Sequence, residues 1–128
     1  MYSITALWRM LLVAALLLVS FGSLGKVTGP QMFDGGDKLI HLITYAVLYV
    51  LAWLAFPGPA LRWRLHLTLL AFGVMIELAQ GQITYRFMEG ADILANVAGT
   101  GVGNLILPIL LKRLPGALYR AAISREQS

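Results

Sequence analysis

Four apolar runs, each near the roughly 20 residues a helix needs to cross a bilayer, follow one another along this chain with only short polar breaks between them. A segment surrounded by hydrocarbon has no water for its amides, so each run can be satisfied only as a helix. The first lies between Arg9 and Lys26 and, if Arg9 reaches toward the headgroups, covers about residues 4–24. Helices over about 38–56, 64–84 and 92–111 follow. Pro57-Gly58-Pro59 stops the second, and Lys112, Arg113 and Pro115 stop the last. The expected fold class is therefore all-α, a polytopic membrane protein of four transmembrane helices forming two antiparallel hairpins. With no internal repeat and no linker, residues 1–128 read as one domain with a short tail over 112–128. In that tail Leu118, Ala122 and Ile123 suit a brief interfacial helix. The first run also has the position of a signal peptide. However, Ser20-Phe21-Gly22-Ser23 is not an A-x-A site and one basic residue precedes the run, so a retained helix is expected.

Composition closes off the alternatives. Of the 128 residues 59% are hydrophobic and only 12% charged, about half the charge of an average soluble domain, which rules against a small soluble monomer. The absence of cysteine excludes a disulfide scaffold and a thiolate zinc site. The net charge of +4 does not point to nucleic acid, because the basic residues sit at the ends of apolar runs instead of sharing a face with aromatics. They bear on topology instead. Arg9, Arg62, Arg64, Lys112, Arg113, Arg120 and Arg125 fall on one side and Lys26, Lys38 and Arg86 on the other, so the positive-inside tendency puts both termini in the cytoplasm.

Polar groups within spanning helices carry most of the functional signal, since hydrocarbon excludes them unless something compensates. Asp37, His41 and Tyr45 recur every four residues and so share a face of the second helix. Gly73, Glu77, Gln80 and Thr84 form a stripe on the third, and Asp92, Asn96, Gly99 and Gly103 one on the fourth. At about 1.5 Å per residue, Tyr45 and Gly99 lie roughly 10 Å below the outer ends of their helices, and Glu77 roughly 20 Å above Arg64. In a core about 30 Å thick these levels nearly coincide, which predicts one polar pocket in the outer leaflet. The small residues Gly73, Gly99 and Gly103 suit close helix packing.

The ordered set Asp37-Lys38-x-x-His41-x-x-x-Tyr45, then Glu77-x-x-Gln80, Arg86 and Asp92-x-x-x-Asn96-x-x-Gly99 resembles the VanZ-like family of bacterial membrane proteins. The resemblance spans about residues 37–103 and leaves out the first helix and the tail. It implies a multi-pass protein of the bacterial inner membrane and cell envelope. It also implies a link to tolerance of the glycopeptide teicoplanin, without an agreed reaction.

Each candidate has a plainer alternative. Asp37 and Asp92 suit helix caps as well as a site, and Lys38 suits a headgroup anchor. Arg86 could pair with Glu89 and Asp92 or hold a lipid phosphate in a bidentate grip. Gln80 and Asn96 favour interhelical hydrogen bonds over ligand contacts. His41 and Glu77 are the candidates for chemistry, an imidazole near a carboxyl whose neutral form can persist at depth and exchange a proton. Tyr45 completes the group. No phosphate loop, nucleophile elbow or His pair at metal spacing occurs, so no metal and no cofactor are expected. His66 reads as interfacial decoration, and Trp8, Trp53 and Trp63 as an aromatic belt or lipid-facing surface.

Three functions remain open. The first is a binding or envelope-modulating protein whose ligand-binding residues are Asp37, Lys38, Tyr45, Gln80, Arg86, Asp92 and Asn96. Its partners would be membrane lipids, a lipid-linked cell-wall component or a glycopeptide. The outer excess of acids, Asp34, Asp37, Glu77, Glu89 and Asp92, instead suits a divalent cation or an ammonium group. The second is an outer-leaflet enzyme using His41 and Glu77. The third is a proton-coupled transporter, which four helices could form only as an oligomer.

Overall fold

The computed structural model describes residues 3–25, 35–58, 61–83, 89–117 and 120. They form four helices: α1 (Ile4–Leu24), α2 (Gly36–Ala55), α3 (Arg62–Gln80) and α4 (Gly90–Arg113). Three of these, α1, α2 and α4, are long and apolar enough to cross a membrane. The fourth, α3, is 19 residues long and carries Arg62, Arg64 and Glu77. Large apolar side chains face outward on every helix, among them Leu18, Ile43, Met75 and Leu105. A chain folded in water would bury such residues.

Local chemistry sets the helix ends. Ser3 caps α1 by accepting the Ala6 amide at 3.2 Å. At α2 the cap is Gly35, left-handed with φ 82°, and at α4 it is the extended Glu89, neither with a side-chain cap bond. Asp37 and Asp92 thus lie inside the first turns and do not cap, which corrects that alternative. The reason is one of register: the chain enters each helix two residues earlier than the apolar pattern suggests, at Gly36 and Gly90. α3 ends at Gln80, before residue 84, because tight turns from Ala79 to Gln82 and from Gln80 to Ile83 follow. α4 runs through Pro108, whose missing amide lipid-embedded helices tolerate.

Helices consecutive in the chain run antiparallel, whereas α2 and α4 run parallel, with His41 beside Asn96 and Tyr49 beside Asn104. The Arg9 guanidinium donates to the Ala55 carbonyl at 3.3 Å, joining the start of α1 to the end of α2. Gln80 Nε2 donates to the Ser23 carbonyl at 2.9 Å, joining the ends of α1 and α3. α2 and α4 make the most extensive pairing, and α2 also packs against α1 and α3. Close approach along the α2/α4 seam depends on glycine. A Cβ on Gly99 would collide with the Leu42 carbonyl oxygen, and one on Gly103 would lie 2.7 Å from that of Ala46. Backbone cannot move aside as a side chain can, so these two positions fix how α4 lies on α2.

One half of the bundle is filled with hydrocarbon and aromatic side chains: Leu12, Trp53, Ala52, Ala55, Leu69, Leu107 and Leu111. Trp53 is 0% exposed, which corrects its assignment to the belt or lipid surface; α2 is flanked by three helices and its tryptophan is enclosed among them. Trp63 is 59% exposed and does face outward. His66 is likewise more than surface decoration, because its ring stacks on Tyr49 at a centroid distance of 4.4 Å. Tyr49 in turn donates its hydroxyl to Asn104 Oδ1 at 2.9 Å, a mid-bundle polar contact.

Candidate functional site

The other half of the bundle encloses polar groups. The N-terminal turns of α2 and α4 lie side by side there, with the C-terminal half of α3 against them. From α2, His41 Nδ1 lies 2.9 Å from Asn96 Oδ1 of α4. Since that oxygen can only accept, the Nδ1 proton is donated to Asn96 and the Nε2 lone pair is left to face elsewhere. Nε2 lies 3.6 Å from Asp92 Oδ2. Asn96 is 2% exposed, so its side chain can serve only as a partner inside the bundle.

Glu77 comes from α3 and is 1% exposed. Its Oε2 accepts the Glu89 amide over a long 3.4 Å, and its Oε1 has no hydrogen-bond partner among the described residues. Leaving a buried carboxylate oxygen unpaired is costly, so this atom calls for an explanation. One ligand atom each from His41, Glu77 and Asp92 lie within 4.8 Å of one another, and so do single oxygens from Asp37, Glu89 and Asp92.

Lys38 stands above this second trio. Its ammonium contacts Asp37 at 2.5 Å, Glu89, and Asp92 Oδ1 at 3.1 Å. The last is an ion contact without hydrogen-bond geometry, because Asp92 Oδ1 is otherwise unpartnered. Lys38 is thus paired with acids at the edge of the cluster, its side chain 30% exposed and two of its three carboxylate partners half exposed. Among the described residues the cluster holds four carboxyls, Asp37, Glu77, Glu89 and Asp92, against Lys38 and His41.

Below the cluster, Gly73 makes room for two of its members. A Cβ there would lie 2.8 Å from Asn96 Nδ2 and 2.9 Å from the Tyr45 hydroxyl. Tyr45 is 2% exposed and leans toward Phe72. The structure thus brings together Asp37, Lys38, His41, Tyr45, Gly73, Glu77, Asp92 and Asn96 from three helices, with Gly99 and Gly103 forming the α2/α4 seam beneath. It does not bring in Gln80, whose amide is spent on α1. Arg86 lies outside the described residues, as do Thr84 and the proposed tail helix. Glu89 was missed as a site residue. It stands outside every helical stripe, and only its acidity at the start of α4 signalled it.

Beside the cluster runs an apolar groove of about 330 Å³ between α2 and α4, lined by side chains such as Leu42, Val47, Leu51, Val102 and Ile106. Leu42, the lining residue nearest the start of α2, lies one helical turn past Lys38 on the same face.

These features define an all-helical protein with three helices able to span a membrane and a partly enclosed acidic cluster at one end. Comparison with protein-family models, curated proteins and solved structures produced no match.

Proposed function

We propose that this chain is a multi-pass envelope membrane protein of the VanZ-like kind that binds an amphiphile, with the polar part of the ligand at the His41/Glu77/Asp92 end and an acyl chain in the α2/α4 groove. In this reading α3 is the fourth span and both termini lie on the cytoplasmic side. Glu77 and Gln80 are then turned inward along the bundle, while Arg64 is exposed near the start of the helix, as a span with buried ionisable groups requires. The observation that carries the proposal is an apolar groove on α2 and α4 whose first lining residue, Leu42, lies one helical turn from Lys38 of the polar cluster. A lipid or lipid-linked cell-wall component has the same division into polar and apolar parts, and any effect on glycopeptide tolerance would follow from such binding.

Two measurements test it. Reconstituted protein exposed to a phosphatidylglycerol carrying a diazirine in its acyl chain should be labelled preferentially along the groove, and Val47→Trp or Val102→Trp, which fill it, should lower that labelling severalfold. Labelling spread evenly around the bundle would sink the reading. For topology, the chain has no cysteine of its own. Gly90→Cys, at a position with open space around it, should react with an impermeant maleimide in intact cells. Lys112→Cys should react only after permeabilisation.

A further inference from the structure

We infer that His41, Glu77 and Asp92 form a binding site for a divalent first-row transition-metal ion such as Zn²⁺ or Mn²⁺. Nitrogen and oxygen ligands bind Zn²⁺ at about 2.0–2.2 Å, which in a tetrahedral shell puts neighbouring donors about 3.4 Å apart. His41 Nε2 and Asp92 Oδ2 are 3.6 Å apart, and one donor atom each of His41, Glu77 and Asp92 lie within 4.8 Å of one another, so small side-chain motions complete the set. A cluster of acids alone would not distinguish an ion site from a solvated surface. Two independent features do.

The first is Glu77, 1% exposed, with Oε1 unpartnered among the described residues. An anionic oxygen in that position is strongly destabilising unless a cation meets it. Lys38 does not serve it: its ammonium meets the exposed carboxylates of Asp37 and Glu89 and, at 3.1 Å, Oδ1 of the buried Asp92, which leaves Asp92 Oδ2 toward His41. The second is the Asn96 contact to His41 Nδ1 at 2.9 Å. Metal-bound histidines almost always donate their other ring proton to an oxygen acceptor, which fixes the tautomer and aims the free nitrogen at the ion. Here the acceptor is itself buried and Nε2 faces the Asp92 carboxylate. An imidazole among the ligands favours Zn²⁺ or Mn²⁺ over Mg²⁺ or Ca²⁺, which prefer all-oxygen shells. The three donors leave coordination positions for water or a ligand oxygen. The ion would also offset the acid excess that otherwise repels a lipid phosphate from the groove head. The site goes beyond the amphiphile reading and does not require it.

Chelator-washed full-length protein in detergent, titrated with ZnCl2 alone, should bind one saturable equivalent and melt at a higher temperature. Glu77→Gln and His41→Ala should weaken binding at least a hundredfold, while Asp37→Asn, in the neighbouring acid trio, should weaken it less than either, and Trp63→Ala, on the outer surface, should change it less than threefold. Asn96→Leu should weaken it about 10- to 100-fold, as for other supporting residues, and Asn96→Asp, which keeps the acceptor, should restore it. Pulsed electron paramagnetic resonance of Mn²⁺-loaded wild type should show coupling to a directly bound imidazole nitrogen. The assignment is overturned if wild type shows no saturable Zn²⁺ binding, if Glu77→Gln binds like wild type, if Asp37→Asn abolishes binding, or if Mn²⁺ shows no nitrogen coupling. The last test needs no variant to fold. Groove-filling variants that lose lipid labelling but keep the Zn²⁺ titration would separate failure of the lipid reading from failure of this one.

Discussion

The two halves of the bundle use the same four helices for opposite purposes. Around Trp53, Leu107 and Leu111 the interior is apolar and aromatic, and charged residues such as Arg64, Lys112 and Arg113 are exposed. Arg9, at that end, lies over the Phe56 ring at 4.8 Å. Around His41, Glu77 and Asn96 the arrangement is reversed: polar groups are enclosed and apolar side chains face out. Dispersion and shape hold most of the first half together, with Trp53 Nε1 buried there without a hydrogen-bond partner among the described residues. The second half is held by directional contacts that leave unfilled bonding capacity at Glu77 and Asp92. A fold can anchor through one half and bind through the other only if the two sets of contacts are separable, and that separability can be tested.

The largest effect is expected from the apolar half. Trp53→Ala should lower stability by about 3 kcal/mol, the low end for buried tryptophan truncations, read as a fall in melting temperature in detergent. Zn²⁺ affinity should stay within threefold of wild type. A matching collapse of metal binding in a folded variant would break the comparison. At the seam that joins the halves, Gly99→Val must displace the Leu42 carbonyl and should cost about 1–3 kcal/mol or more, whereas Gly101→Ala meets open space and should be nearly silent. Equal effects at both glycines would mean that the seam is not close-packed. In the polar half, Asn96→Leu leaves His41 Nδ1 without its acceptor and should cost about 1–3 kcal/mol, measured by chemical or thermal melting. Tyr49→Phe removes one hydroxyl bond to Asn104 and should cost about 0.5–1.5 kcal/mol. Smallest of all, Trp63→Ala on the outer surface should stay within about 0.5 kcal/mol of wild type. That value against the value for Trp53 sharpens the contrast between a buried and an exposed tryptophan at the same end.

Most of the helical layout was legible from residue order. The apolar runs gave four helices to within a few residues, and four-residue spacing put Asp37, His41 and Tyr45 on one face and Asp92, Asn96 and Gly99 on another. The errors lie where a residue's fate depends on a neighbouring helix. Gln80 has the spacing of its stripe, yet it turns to Ser23 because α1 lies within reach. Trp53 looks like a surface tryptophan until α2 is found to be flanked by three helices. His66, Tyr49 and Asn104 come from three helices and show no common spacing. Neither do His41, Glu77 and Asp92 as metal ligands: each helix supplies one donor, and a search for paired histidines along a single helix passes over them.

Residue order alone thus determined what is local: which segments must be helical to satisfy their amides in an apolar medium, and which side chains share a stripe at 3.6 residues per turn. The tertiary structure decided how those stripes are rotated against one another. That rotation is set by contacts between distant residues, glycine against carbonyl at Gly99 and Gly103, and no periodicity within a single helix records them.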